Sequence, residues 1–211
     1  MQENCTSGTV SGALGNWGSY GERSPMNRYI AIFITIFIGS VHAEDFGSCG
    51  YMPKKTEQYQ YPEWEVFDSC ASYNNGVLRI SQEHMQRLNF GTEGLASFFA
   101  SGQYFYVKPD GRFLPVIFYD NGADYFREGL TRSQKNGKIE FYNKDFELVL
   151  SPGYDWAWPF HEGQSLVCKG CVLTPVEDGH KALEGGLWGY INKEGKEVVP
   201  VKYKASDVPL K

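Results

Sequence analysis

The chain has 211 residues, 25 acidic against 20 basic side chains, and a formal net charge of −5. That length holds one ordinary domain or a short repeat array with a real core, and the acidic balance gives no reason to expect nucleic acid as a partner. With 24 Gly, 14 Tyr, 14 Phe and 5 Trp, the composition excludes a disordered chain and a coiled coil and favours β structure with many tight turns.

Residues 1–25 are Gly/Ser-rich and show no periodicity. They read as a disordered tail, or as sequence upstream of a true start at Met26. Residues 26–43 have the parts of a secretory signal peptide. Met26-Asn27-Arg28 is a short positive start, residues 29–38 are an apolar run, and Val41-His42-Ala43 is a small-residue exit before the acidic pair Glu44-Asp45. A run this short falls below the ~20 residues that cross a bilayer, so cleavage after Ala43 is expected to leave no stable membrane span. The expected location is periplasmic or secreted.

Beyond residue 43 the cysteines are Cys49, Cys70, Cys168 and Cys171. An even count in an exported chain reads as two disulfides, although the sequence alone chooses none of the three connectivities. A lipid anchor on Cys49 is disfavoured, because Phe46-Gly47-Ser48 lies well past the apolar run. Residues 44–91 carry Cys49, Cys70, a polar stretch at 54–60 and one plausible pair of helical turns at 80–88. This region is expected to form a small N-terminal cap on residues 92–211.

Residues 92–211 repeat themselves. Segments 103–119 (QYFYVKPDGRFLPVIFY), 138–154 (KIEFYNKDFELVLSPGY) and 187–203 (LWGYINKEGKEVVPVKY) share one layout: an aromatic strand, a charged turn, a second strand and a Tyr. Aligned on the turn, the pairs are Asp110-Gly111, Lys144-Asp145 and Glu194-Gly195. Gly111 and Gly195 supply the positive φ that a tight β-turn needs, and Asp145 is expected to take that conformation where the glycine is missing. A second marker, Glu-Gly, recurs at Glu93, Glu128 and Glu162, 35 and 34 residues apart. A fixed period of this length signals a repeat architecture whose units bury their apolar faces against one another.

The segment GLWGYINKEGKEVVPVKY resembles a full WG repeat, with Trp188-Gly189 as the dipeptide that names the family; the two upstream copies are degenerate. The resemblance runs over residues 92–207. It implies an all-β stack of about three antiparallel β-hairpin (WG-type) repeats, as one continuous twisted sheet or short superhelix, or else closed into a partial barrel. It implies a scaffold far more firmly than an activity. Residues 168–185 read as an insertion between the second and third copies, and Trp188 as a core residue.

The chemistry-bearing residues are sparse. Cys168-Lys169-Gly170-Cys171 is flanked by strand-like sequence rather than a helix start, which favours a structural bond over a redox dithiol. Zinc there would need two further ligands from His180, Cys49 or Cys70. No Ser or Cys sits in a nucleophile frame, no glycine cluster is placed as a phosphate loop, and no cofactor or metal is expected. Glu93, Glu128 and Glu162 recur once per repeat, as turn residues would. Tyr154, Trp156, Trp158 and Phe160 form an aromatic strip that either stacks on sugar rings or peptide, or fills the groove between hairpins. The expectation is a non-catalytic binding or scaffolding module in the cell envelope, contacting an unknown protein or an envelope polymer. The alternative is an enzyme acting on envelope carbohydrate through Glu residues near the strip.

With Cys49 bonded to Cys70 and Cys168 to Cys171, the two crosslinks differ in the loop they close. A loop of about 20 residues is worth about 3 kcal/mol, chiefly through the unfolded chain, and a loop of a few residues less. Denaturant unfolding of single variants should therefore show Cys49→Ser costing more stability than Cys171→Ser, with neither abolishing the hairpins. The reverse order would contradict this assignment.

Overall fold

A computed structural model describes residues 45–175 and 181–209. The expected tail, signal peptide and cleavage point after Ala43 lie outside the described residues, as does His180. Among the described residues no helix is long and apolar enough to cross a membrane.

The chain is nearly all β. It begins β1 (Gly47–Tyr51), β2 (Glu65–Asn74), β3 (Val77–Ile80) and a single short helix, α1 (Gln82–Arg87). Ser81 caps α1, its Oγ accepting from the His84 amide, so the helix falls inside the expected 80–88 window. Next come β4 (Ala96–Ala100), β5 (Gln103–Val107), β6 (Phe113–Val116), and a two-residue pair, β7 (Phe118–Tyr119) with β8 (Gly122–Ala123). The second repeat is β9 (Thr131–Lys135), β10 (Lys138–Tyr142) and β11 (Leu148–Leu150). The third is β12 (Trp156–Ala157), β13 (Gln164–Pro175), β14 (Lys181–Asn192) and β15 (Glu197–Tyr203), then a 3-10 turn at Ala205–Asp207.

These strands form four separate sheets rather than one continuous sheet, in the orders β3-β2-β1-β4-β5-β6, β11-β10-β9, β12-β13-β14-β15 and β7-β8. The three expected hairpins are β5 with β6, β10 with β11, and β14 with β15. Each has a further strand before it, so the repeat is a three-stranded meander. β4 turns into β5 through Ser101-Gly102, and β9 into β10 through Asn136-Gly137, both residues of each pair at positive φ. That is the primed turn whose twist matches the strands it joins. β1 pairs with both β2 and β4, so β1, β2 and β3 extend the first repeat's own sheet beyond β4.

One expectation about the turns is corrected by the backbone. In the hairpin turns, Gly111, Phe146 and Gly195 donate to the carbonyls of Lys108, Asn143 and Asn192. Their φ values are 85°, 66° and 78°, so Phe146, not Asp145, takes the left-handed position. The corrected residue lies eight positions before the repeat Tyr in all three copies, at Tyr119, Tyr154 and Tyr203. Asp145 instead reaches across to the first repeat's turn, 3.0 Å from Lys108 Nζ. Within the stretch 168–185, the described residues are strand: β13 and β14 are each 12 residues long and pair from Gln164 with Asn192 to Pro175 with Lys181, forming an arm on the third repeat.

The copies meet at Arg132, the largest fully buried side chain among the described residues. Its Nη2 and Nε donate to the Asp124 carboxylate at 2.5 and 3.1 Å, and its own backbone amide donates to Asp124 Oδ2 at 2.7 Å. Nη1 donates to the Ala157 carbonyl at 2.7 Å, tying in β12. The guanidinium lies 4.7 Å from the Tyr119 ring centre and 5.5 Å from that of Trp156. Ile117, at the end of the first repeat, donates to the Arg132 carbonyl, and Tyr106 of β5 donates to the Asp124 carbonyl at 2.8 Å.

Removing one partner of a buried, hydrogen-bonded ion pair leaves an uncompensated charge and typically costs about 3–5 kcal/mol. Arg132→Met should lose that much in urea unfolding, whereas Arg132→Met with Asp124→Leu should lose less than the two single changes added together. Additive losses would show that the two residues are not coupled.

Candidate functional site

The structure places the expected aromatic strip in the core, the groove-filling one of its two readings, so it is not the binding surface. Tyr154, Trp156 and Phe160 are 9%, 8% and 2% exposed, and Trp158 packs half-buried against them. Trp156 and Trp158 meet edge to face at 6.0 Å, and Phe160 packs on Phe141 at 4.8 Å. The Tyr154 hydroxyl donates to Glu197 at 3.1 Å, and burial followed by that carboxylate pushes its pKa up to about 12. These side chains fill the space between hairpins, as aromatics do in a thin β array.

Trp188 is also core, 4% exposed, with its indole N–H donating to the Gly185 carbonyl at 2.9 Å. Gly189 answers to a backbone approach: a Cβ there would lie 2.5 Å from the Val199 carbonyl oxygen and 2.7 Å from that of Pro200. The β14–β15 ladder is irregular at this point, Trp188 pairing with Tyr203 and Tyr190 with Val199. The dipeptide thus joins a core-filling indole to the one residue type that lets the bulged strand close on it. The degenerate copies carry Phe105 and Glu140 at the matching position. Phe105 faces Pro115 in a regular ladder.

Both disulfides form, Cys49–Cys70 and Cys168–Cys171, with Cα separations of 5.6 and 6.0 Å. The second lies along β13, where a Cβ on Gly186 of the facing strand would fall 2.5 Å from Cys168 Sγ. Asp155 closes this corner, accepting from the Gly170 amide at 2.7 Å and from Lys138 at 2.6 Å. Those two contacts, the amide first, hold its carboxyl below the usual carboxylate range.

Two of the Glu-Gly markers share a task. Glu128 and Gly129, like Glu162 and Gly163, occupy consecutive positive-φ positions. Glu93 pairs with Lys144 in the second repeat's turn, and Glu128 pairs with Lys193, the matching residue of the third, at 2.8 Å. Glu128 also accepts from the Gly163 amide at 3.1 Å. Lys193 first and that amide second hold its carboxyl low. Glu93 and Glu128 therefore clasp successive repeats. Nearer the strip, Glu140 accepts from Tyr142 and Ser151, and Glu197 from Tyr154 and the Val201 amide.

Two groupings were not legible in the sequence. One is an exposed aromatic ledge on the outer face of the six-stranded sheet. Val66, Gly50, Phe99 and Tyr104 are directly paired across β2, β1, β4 and β5, so they share a face. Trp64 lies over Gly50 and is 42% exposed, with its ring 6.0 Å from that of Tyr104. Phe118 stacks on Tyr104 at 5.6 Å and 17° and is 62% exposed. The pairing of residues 50, 66, 99 and 104 depends on long-range register, which no local pattern announces. The other grouping is Cys49, Cys70 and His84, all buried, with one ligand atom from each within 4.8 Å of the others. The Tyr51 hydroxyl is 2.8 Å from His84 Nδ1, and burial first, then Arg87, lowers the imidazole pKa.

A Cβ at residue 189 would meet backbone on the facing strand, which cannot swing aside as a side chain can. Gly189→Ala should therefore cost about 1–3 kcal/mol in chemical denaturation, the range for overpacking a tight site. An unchanged unfolding midpoint would show that β15 gives way freely.

A family model described as a WG containing repeat matches residues 141–170 and 188–205. The matches cover the second and third copies, and the first, at residues 103–119, lies outside them. No curated protein and no solved structure matches the chain. With the second-copy turn, the Trp188-Gly189 dipeptide, the turn from β14 into β15 and all of β15 inside the matched segments, the chain is a WG repeat-containing protein.

Proposed function

We propose that this chain is a non-catalytic binding module of the cell envelope, acting outside the reducing cytoplasm and engaging an envelope polymer rich in sugar rings. The observation that carries the reading is the ledge formed by Trp64, Tyr104 and Phe118. Phe118 is 62% and Trp64 42% exposed, and both pack on the partly buried ring of Tyr104, so the three form one open aromatic surface. Aromatic faces of this kind stack on flat apolar surfaces such as those of sugar rings, and large rings left open to water mark interaction sites. The carboxylates of Glu93, Glu128, Glu140 and Glu197 are occupied by lysines, backbone amides, tyrosines and a serine, which suits a scaffold. Two disulfides support an oxidising compartment.

The test is co-sedimentation of the purified chain with insoluble peptidoglycan sacculi, alongside an assay for released reducing ends. The expected result is saturable binding without release, weakened at least about tenfold in Trp64→Ala/Phe118→Ala, as expected when aromatic anchors are truncated, while circular dichroism stays unchanged. Equal binding by that variant would remove the ledge from the account. Release of reducing ends would replace the module with an enzyme.

A further inference from the structure

Cys49 on β1, Cys70 on β2 and His84 on α1 converge in the core of the first sheet. Their ligand atoms lie within 4.8 Å of one another, and all three residues are buried. The rings of Phe67 and Tyr51 wall the imidazole at 5.3 and 5.9 Å. We propose that the reduced form of this protein binds one zinc ion through the Cys49 and Cys70 thiolates and the His84 imidazole, so that disulfide and metal are alternative occupants of one buried position. This is independent of the polymer-binding reading.

Geometry and charge both favour zinc. Zn–S bonds of about 2.3 Å and Zn–N bonds of about 2.0 Å place donor pairs roughly 3.5–3.8 Å apart in a tetrahedral site. On reduction the two sulfurs must separate from bonding distance, about 2.05 Å, to about 3.8 Å, and the imidazole need draw in by no more than about 1.3 Å from its 4.8 Å limit. β1 and β2 are already neighbours, with the two Cα atoms 5.6 Å apart. Two thiolates, a neutral imidazole and a divalent cation sum to zero, whereas a monovalent soft cation would leave a net negative charge in an apolar core. Tyr51 supplies the outer contact that metal-binding histidines usually have. With Nδ1–H donating to its oxygen, 2.8 Å away, the Nε2 lone pair is left for the metal. A neutral water completes four-coordination.

The exchange balances. A phosphine and one water convert the disulfide to two thiols and phosphine oxide, and zinc then displaces two protons from those thiols.

The test uses the full chain carrying Cys5→Ser, Cys168→Ser and Cys171→Ser, reduced with a phosphine under anaerobic conditions and titrated with cobalt(II), then zinc. One equivalent of cobalt should give thiolate charge-transfer and four-coordinate visible bands that zinc bleaches, with a β circular dichroism spectrum in the zinc form. The oxidised protein should give no bands. His84→Gln should weaken zinc binding at least about tenfold, while its oxidised form keeps the β spectrum. Absence of a one-equivalent complex in the reduced chain overturns the proposal. So does binding that survives Cys49→Ser, or zinc affinity unchanged in His84→Gln.

Discussion

The ion pair between Arg132 and Asp124 is the constraint on which the packing of the repeats depends. Burying a guanidinium and a carboxylate is unfavourable unless nearly every polar atom finds a partner. The partners here come from all three copies: Ile117 and Tyr106 from the first, the Arg132 and Thr131 backbone and side chains from the second, and the Ala157 carbonyl at the entry to the third. No repeat could satisfy this centre alone. The charge pair therefore makes separate sheets interdependent even though they share no continuous ladder.

Around that centre the array uses one outer device repeatedly. A lysine just inside a hairpin turn reaches the glutamate of an earlier Glu-Gly corner, once from Lys144 to Glu93 and once from Lys193 to Glu128. Exposed pairs of this sort contribute little energy individually. Their value is in register, because each fixes which turn sits beside which corner. Where the matching turn of the first repeat has no lysine, Pro109 stands instead, and the neighbouring Lys108 pairs with Asp145.

Much of the fold was legible because it is written locally. The charged turns, the repeat tyrosines and the Trp188-Gly189 dipeptide announce hairpins through residue types that only a few backbone conformations accept. The errors came where the signal is not local. Phe146 occupies a left-handed position that its side chain does not advertise, so aligning on Asp145 shifted the second copy by one residue. β9, Thr131–Lys135, reads as polar because its inward positions carry Thr131, Arg132 and Ser133, buried by the ion-pair network rather than by apolarity. Arg132 itself drew no attention, since arginine is a surface residue in most proteins. The aromatic strip at 154–160 was legible as a cluster suited to filling the groove between hairpins or to stacking on a ligand, and the choice between the two depends on what packs over a short irregular segment. The exposed ledge and the Cys49, Cys70 and His84 grouping depend on long-range pairing that a sequence pattern does not carry.

If the buried pair couples the copies, the sheets must open together. Native-state hydrogen exchange reads this directly through the amides of Ile117 and Arg132, which donate across a joint to Arg132 and Asp124, and of Ile139 and Trp158, which donate within the second and third copies to Tyr154 and Leu166. The account predicts that these four exchange only through global unfolding, with the same free energy and denaturant dependence as the most protected amides of β5 and β14. Exchange of Ile117 and Arg132 at a much lower free energy, while β5 and β14 stay protected, would show that the repeats open independently and would contradict it.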